Sequence, residues 1–170
     1  MGDHHDHGSD HDGLFAAPGH DHTHCAEATL ARAERICAER GARLTAIRRQ
    51  VLEALAGTHA PIGAYELIEK LENGEGHRPA PITVYRALDF LLEQGLAHRI
   101  ESRNAFVACA HEHGERGVLM FLICESCGSV GEAVSDAVGS ALARAADSAG
   151  FAPRAQVIEV AGQCAHCRAA

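Results

Sequence analysis

Long apolar runs are missing from this chain: none approaches the roughly 18 to 20 residues that span a bilayer. A basic-then-apolar leader is missing too, because the N-terminus is polar and acidic. The chain therefore reads as a cytoplasmic protein with no membrane partner. Lys and Arg are absent from the first 27 positions, which carry six acids, Asp3, Asp6, Asp10, Asp12, Asp21 and Glu27. The formal net charge of -8 is thus concentrated at one end, and the remainder sets 17 acids against 15 bases. Overall acidity then no longer excludes nucleic acid as a partner. Disulfide frameworks are foreign to a reducing compartment, so the seven cysteines are read first as metal chemistry. With 170 residues the chain holds one medium domain or two small ones. Cores of that size often need a metal or a partner subunit.

Positions 1–25 are a low-complexity Asp/His/Gly tail with too few apolar residues to repay ordering, and are expected to be disordered. Its histidines suit passive zinc or nickel scavenging. From Ala26 the period becomes helical, through Leu30, Ala33 and Cys37 to Gly41, a residue suited to a left-handed helix end. Thr45 is placed to cap a second helix carrying Ile47, Val51, Leu52 and Leu55. A third stripe, Ala64, Leu67, Ile68 and Leu71, runs into the breakers at 73–76. A fourth helix, over 82–94, turns Val84, Leu88, Leu91 and Leu92 inward. The period then shortens to two over 97–101 and 105–109, a hairpin turning at Ser102-Arg103-Asn104. Helices followed directly by a hairpin predict a winged helix-turn-helix over 26–102, with 82–94 as its recognition helix.

Beyond it, 118–123, 129–134 and 156–160 read as strands. Positions 135–149 read as a capped helix with Val138, Leu142, Ala145 and Ala149 on one face. Few apolar residues remain for a core there, so a symmetric dimer is the economical cover. The fold class expected is α+β, an N-terminal winged helix followed by a small α/β dimerisation domain over 103–170.

Two Cys-x-x-Cys knuckles, Cys124/Cys127 and Cys164/Cys167, carry the strongest chemical signal. A two-residue spacer lets both sulfurs of a knuckle reach one ion, so the pair predicts a closed, structural tetrahedral zinc site. A thioredoxin-like redox role is the weaker reading, since neither knuckle opens a helix after a βα unit. A second set, His98, Cys109, His111, His113 and Glu132, can converge where the wing meets the second domain. A thiolate among imidazoles favours zinc over iron(II), and one carboxylate keeps the ion exchangeable. Arginines 32, 35, 40, 43, 48 and 49 crowd one short stretch, as a phosphate-contacting surface requires, though a solvated helix face has the same pattern. Thr83, Tyr85 and Arg86 lie near the start of the recognition helix, where Arg86 could read guanine. Tyr65 suits a thymine methyl or a phosphate, and Arg43, Arg48 and Arg49 suit the DNA backbone. For Tyr65 and Tyr85, partial core burial fits the pattern equally well.

The run Pro81-Ile-Thr-Val-Tyr-Arg-Ala-Leu-Asp-Phe-Leu-Leu-Glu-Gln-Gly-Leu-Ala-His98, with Arg43-Leu-Thr45-Ala-Ile-Arg48 before it and the two knuckles after it, resembles the ferric uptake regulator superfamily, most of all its zinc uptake regulator branch. The resemblance spans about 26–168. It implies a homodimeric repressor, not an enzyme, that binds AT-rich palindromic operators of zinc-uptake genes when zinc-loaded and takes no small-molecule substrate. It further implies two Zn2+ per chain. The structural ion falls to Cys124, Cys127, Cys164 and Cys167, and the regulatory ion to His98, Cys109, Glu132 and a loop histidine matched by His111 or His113. The base-contacting tyrosine and arginine of relatives match Tyr65 and Arg86. An iron or peroxide sensor of the same fold, and a zinc enzyme or zinc-storage protein, are the alternatives.

Overall fold

The structure, a computed structural model, describes residues 14–16, 22–72, 78–109, 117–154 and 156–169. Helix α1 (His22–Glu39) starts ahead of the expected Ala26, so the last residues assigned to a disordered tail are helical. It buries Leu30, Ala33 and Cys37 and is closed by Gly41 at φ 63°, where only glycine is unstrained. Helix α2 (Ala46–Ala56) follows Thr45 as expected, but the threonine side chain makes no capping bond. Its carbonyl instead accepts from the Arg49 amide at 2.9 Å. Helices α3 (Ala64–Lys70) and α4 (Pro81–Glu93) complete the helical unit. Pro81 sits in the first turn of α4, where its missing N–H costs nothing.

Val51, Leu52, Leu55, Leu67, Val84, Leu88, Leu91 and Leu96 form the buried centre of this unit, as their helical spacing demands. Strands β1 (Ala97–Ile100) and β2 (Ala105–Ala108) pair antiparallel, Ala97 opposite Ala108. They turn through a 3-10 turn at Glu101–Arg103 and a left-handed Asn104. Ile62 bridges to Phe106 through two backbone bonds of 2.9 Å, which pins the hairpin beside α3. The result is the winged helix expected from the periodicity.

The second unit is a three-stranded sheet in the order β4-β3-β5, from β3 (Val118–Cys124), β4 (Val130–Ser135) and β5 (Ile158–Gly162). Strands β3 and β4 are antiparallel; β5 returns parallel to β3 after α5 (Asp136–Ser148). The Ser135 hydroxyl caps α5 by accepting from the Val138 amide at 3.3 Å. A short helix, α6 (Ala165–Ala169), starts just after Cys164, carries Cys167 and is too short for a periodic signal. The expected inward face of α5 is not buried within the chain: no residue of α5 is. Leu142 stays 37 % exposed and Val160 48 %, with Val134 and Phe151 also exposed. The helix approaches its own sheet at the Val118 end, where Gly139 allows contact.

Part of the expected tail is ordered against this sheet. Phe15 lines a cleft of about 160 Å³ with Leu122, Val160 and Gly162, and its carbonyl lies 3.2 Å from His166 Nε2. Gly131 makes room for Leu14, since a Cβ there would stand 2.9 Å from the Leu14 carbonyl oxygen. The Asp/His-rich positions 1–13 lie outside the described residues.

The two units meet through an apolar cluster, Ile100 and Val107 from the wing against Phe121 and Ile123 from β3. Beside it, the Glu159 carboxylate accepts from the backbone amides of Glu101 at 2.6 Å and Ser102 at 3.1 Å. Burial works to raise the Glu159 pKa, but bonds from the Ser102 side chain and both amides outweigh it and hold the carboxyl below its ordinary value. Its contribution to stability is therefore complete above the unfolded carboxylate pKa, roughly 4.3, and fades as pH falls through the lower folded value. Urea unfolding across acid pH should show wild type and Glu159→Gln separated above that range and converging below it. In the helical core, Leu91→Ala, at a position with no exposure, should cost about 2 to 5 kcal/mol, read from the same unfolding midpoints.

Candidate metal centres and DNA-facing surface

The first centre forms where β3 ends and β5 delivers α6. Cys124 closes β3, and a tight turn through Gly128 at φ 76° brings Cys127 round, with the Gly128 amide on the Cys124 carbonyl at 2.9 Å. From the other side, the Glu125 amide bonds the Gly162 carbonyl at 2.8 Å, so the end of β5 is fastened to the first knuckle. The ligand atoms of Cys124, Cys127, Cys164 and Cys167 all lie within 4.8 Å of one another, with Cys127 and Cys164 sulfurs 4.0 Å apart. Tetrahedral zinc with Zn–S near 2.3 Å sets sulfurs roughly 3.8 Å apart, so the cluster fits that ion with little adjustment.

Its electrostatics point the same way. Backbone N–H groups of Cys164 and Cys127 hold the Cys124 thiol down to about 6, whereas bonding to Cys164, burial and the neighbouring sulfurs push Cys167 up to about 12. One thiolate forms readily and a further one is resisted by the others. A divalent cation at the centre removes that conflict.

The second centre sits at the junction of the two units. His98 comes from β1, Cys109 follows β2, and Glu132 faces them from β4, opposite Phe121. His98 Nε2 lies 3.8 Å from Glu132 Oε1, and Cys109 Sγ lies 3.9 Å from Glu132 Oε2. All three ligand atoms fall within 4.8 Å of one another. Cys109 is buried, and the Glu132 side chain is only 4 % exposed. The His98 ring rests at 5.2 Å from the Phe121 ring. One nitrogen, one sulfur and one oxygen ligand make a borderline-soft set suited to zinc. His111 and His113, the sequence candidates for a further ligand, lie outside the described residues.

On the helical unit, Tyr65 is 75 % exposed and Tyr85 39 %, so neither belongs to the core. Arg86 and Arg43 are exposed as well, and Thr83 is half-buried. Ile82, 59 % exposed at the head of α4, escaped the sequence reading because an apolar residue at a helix start reads as core. The arginines divide. Arg48 lies over the Phe90 ring at 3.6 Å and donates to the Arg43 carbonyl at 2.6 Å, while Arg49 pairs with Glu34 of α1. Arg32, noticed only as part of the basic run, turns instead toward Cys109.

Cys164→Ser should abolish tight binding at the first centre and lower the melting temperature of the metal-loaded protein. Metal analysis of that variant should find one tightly held zinc fewer than in wild type, apart from any the histidine tail collects.

Comparison with known proteins places these features in context. The ferric uptake regulator family matches residues 39–161. The zinc uptake regulation protein of Escherichia coli strain K12 is 43% identical over 138 residues, covering 81% of this chain and 80% of that protein. A solved zinc uptake regulator complexed with zinc and DNA is 41% identical with a TM-score of 0.76, over 85% of this chain and 95% of its own. Holo XcZur is 45% identical, with a TM-score of 0.74 over 84% of this chain and 99% of its own. Apo XcZur, also 45% identical, gives 0.52 over 86% and 99%. With most of its length matched and both units shared, the chain belongs to the ferric uptake regulator family.

Proposed function

We propose that the chain is a zinc-responsive transcriptional repressor that binds AT-rich palindromic operators of zinc-uptake genes when zinc-loaded. The observation that carries this reading is the convergence of half-buried His98 with buried Cys109 and Glu132 at the joint between wing and sheet, because an ion there fixes how the two units sit together. The better match to the holo than to the apo relative, 0.74 against 0.52 at equal identity, supports a metal-dependent arrangement of this kind. A thiolate in the set supports zinc over iron(II). Membership of a regulator family makes it a regulator and not an enzyme.

Each chain holds two Zn2+ in this reading. Cys124, Cys127, Cys164 and Cys167 keep the structural ion, and His98, Cys109 and Glu132 the regulatory one, with His111 or His113 as the further ligand. The DNA-binding domain runs from 26 to the end of the hairpin at Ala108 rather than stopping at 102, because β2 pairs with β1 and Phe106 joins the helical core, and the sheet from Val118 onward belongs to the dimerisation and metal-binding domain. Exposed Tyr65, Tyr85 and Arg86, with Thr83, face the bases, and Arg43, Arg48 and Arg49 the phosphates. The open face of α5, with exposed Leu142 and Val160, takes a second copy, giving a homodimer. It works in the cytoplasm, and among the described residues no helix is long and apolar enough to cross a membrane.

Regulatory zinc acts by population shift. Without it the wings swing relative to the sheet, the hairpin segment 103–109 moving with the helical unit to which it is bonded, and rarely present both recognition helices one DNA turn apart. A useful switch needs an operator-affinity ratio of roughly 10 to 100, about 1.4 to 2.8 kcal/mol. Fluorescence anisotropy with an AT-rich zinc-import operator should show that gain with zinc, not with iron, and its loss on chelation. Cys109→Ala should keep the structural zinc and lose the gain, while Arg86→Ala should bind weakly in either state. Equal operator affinity of the wild type with the regulatory site empty and filled would overturn the reading.

A further inference from the structure

The polar atoms of Cys109 are held from two directions. Its amide donates to the Leu96 carbonyl at 3.0 Å. Its carbonyl accepts from Arg32 Nη2, and its sulfur lies 3.6 Å from Arg32 Nη1. One guanidinium thus grips both the main chain and the thiol of a residue 77 positions away. Arg32 belongs to α1, whose buried residues Leu30 and Ala33 seat that helix in the core of the DNA-binding unit.

We infer that Arg32 is a positioning residue for the regulatory zinc: it aims the Cys109 sulfur at His98 and Glu132 and ties metal occupancy to α1. The inference rests on the regulatory reading of that centre. A cysteine side chain has a single rotatable bond before its sulfur, so fixing the carbonyl and the sulfur together fixes the direction in which the thiolate binds. The planar fork of arginine spans both atoms at once, which a lysine ammonium, a point donor on a flexible stem, does not. An N–H donated to a zinc-bound sulfur also draws charge from it, as outer-shell partners of metal ligands do. On the far side, α1 is tied to α2 through the Glu34–Arg49 pair. The sulfur that receives zinc and the arginine-bearing face of α2 are therefore linked through one helix.

The test uses the full chain with its structural zinc in place. Competition with a fluorescent chelator measures zinc affinity of the second centre in wild type, Arg32→Met and Arg32→Lys. Loss of an outer-shell partner typically weakens metal binding about 10- to 100-fold. Arg32→Met should show a loss of that size, raise the zinc needed for half-maximal operator binding by the same factor, and leave the structural zinc content unchanged. Arg32→Lys, which keeps the charge, should recover only part of the loss and carries the test if Arg32→Met folds poorly. Cobalt placed in the second centre adds a readout that a merely structural role leaves alone: the thiolate-to-cobalt charge-transfer band should shift to lower energy in Arg32→Met as the sulfur loses its donor. Variants with wild-type zinc affinity and an unmoved band, in a protein whose wild type does bind the second zinc, would overturn the inference alone. A wild type that binds no second zinc would overturn the regulatory reading and the inference with it.

Discussion

Everything in the second half of the chain hangs on the convergence of four sulfurs from two distant turns. Among the described residues beyond 117, the buried apolar side chains are Phe121, Ile123, Cys124 and Cys164. Half of that short roster is therefore cysteine, and Phe121 and Ile123 pack toward the wing rather than toward α5. A sheet of three short strands, whose edge strand β5 returns only after a helix with no buried residue, has little hydrophobic reason to close. A metal clip across the ends of β3 and β5 would supply what the core lacks, since binding free energy at a site absent from the unfolded chain is folding free energy.

The other half of the molecule obeys different physics. Its helices bury a continuous aliphatic centre from Val51 to Leu96. The contrast explains why the second metal centre lies where it does. His98 and Cys109 come from the well-packed unit and Glu132 from the thin one, so an ion held there would bridge a firm body and a softer one. Among the described residues, an apolar cluster built on four side chains, the His98–Phe121 ring contact, the two Glu159 carboxylate bonds and the Val130 amide on the His59 carbonyl also cross that joint. A coordination bond placed there changes orientation more than stability, as a switch requires.

Periodicity and spacing made much of this legible. Each helix of the wing unit announced itself through three- and four-residue spacing, Gly41 and Gly95 marked their ends, and the change to alternation at Ala97 marked the hairpin. The knuckle cysteines were legible because two residues between thiols have few other uses. Residues 14–16 were lost in the composition of their surroundings, because Leu14 and Phe15 are too few to create a period and their partner, Gly131, leaves no trace but a missing side chain. The roles of Arg32 and Arg48 were hidden for a related reason. A basic run reports charge, whereas Cys109 and the Phe90 ring that claim these two arginines are remote in sequence. The α5 face shows the opposite limit: its pattern identifies an apolar stripe correctly but not whether the cover comes from its own chain.

Strand β5 links features that look independent. Glu159 near its start grips the turn of the wing, and Gly162 at its end is bonded to the first knuckle, with Cys164 just beyond. An oxidant or strong chelator that opened the knuckle would also slacken the rope by which the wing is moored. Damage at the sulfurs would then reach the wing without passing through the His98–Cys109–Glu132 pocket at all.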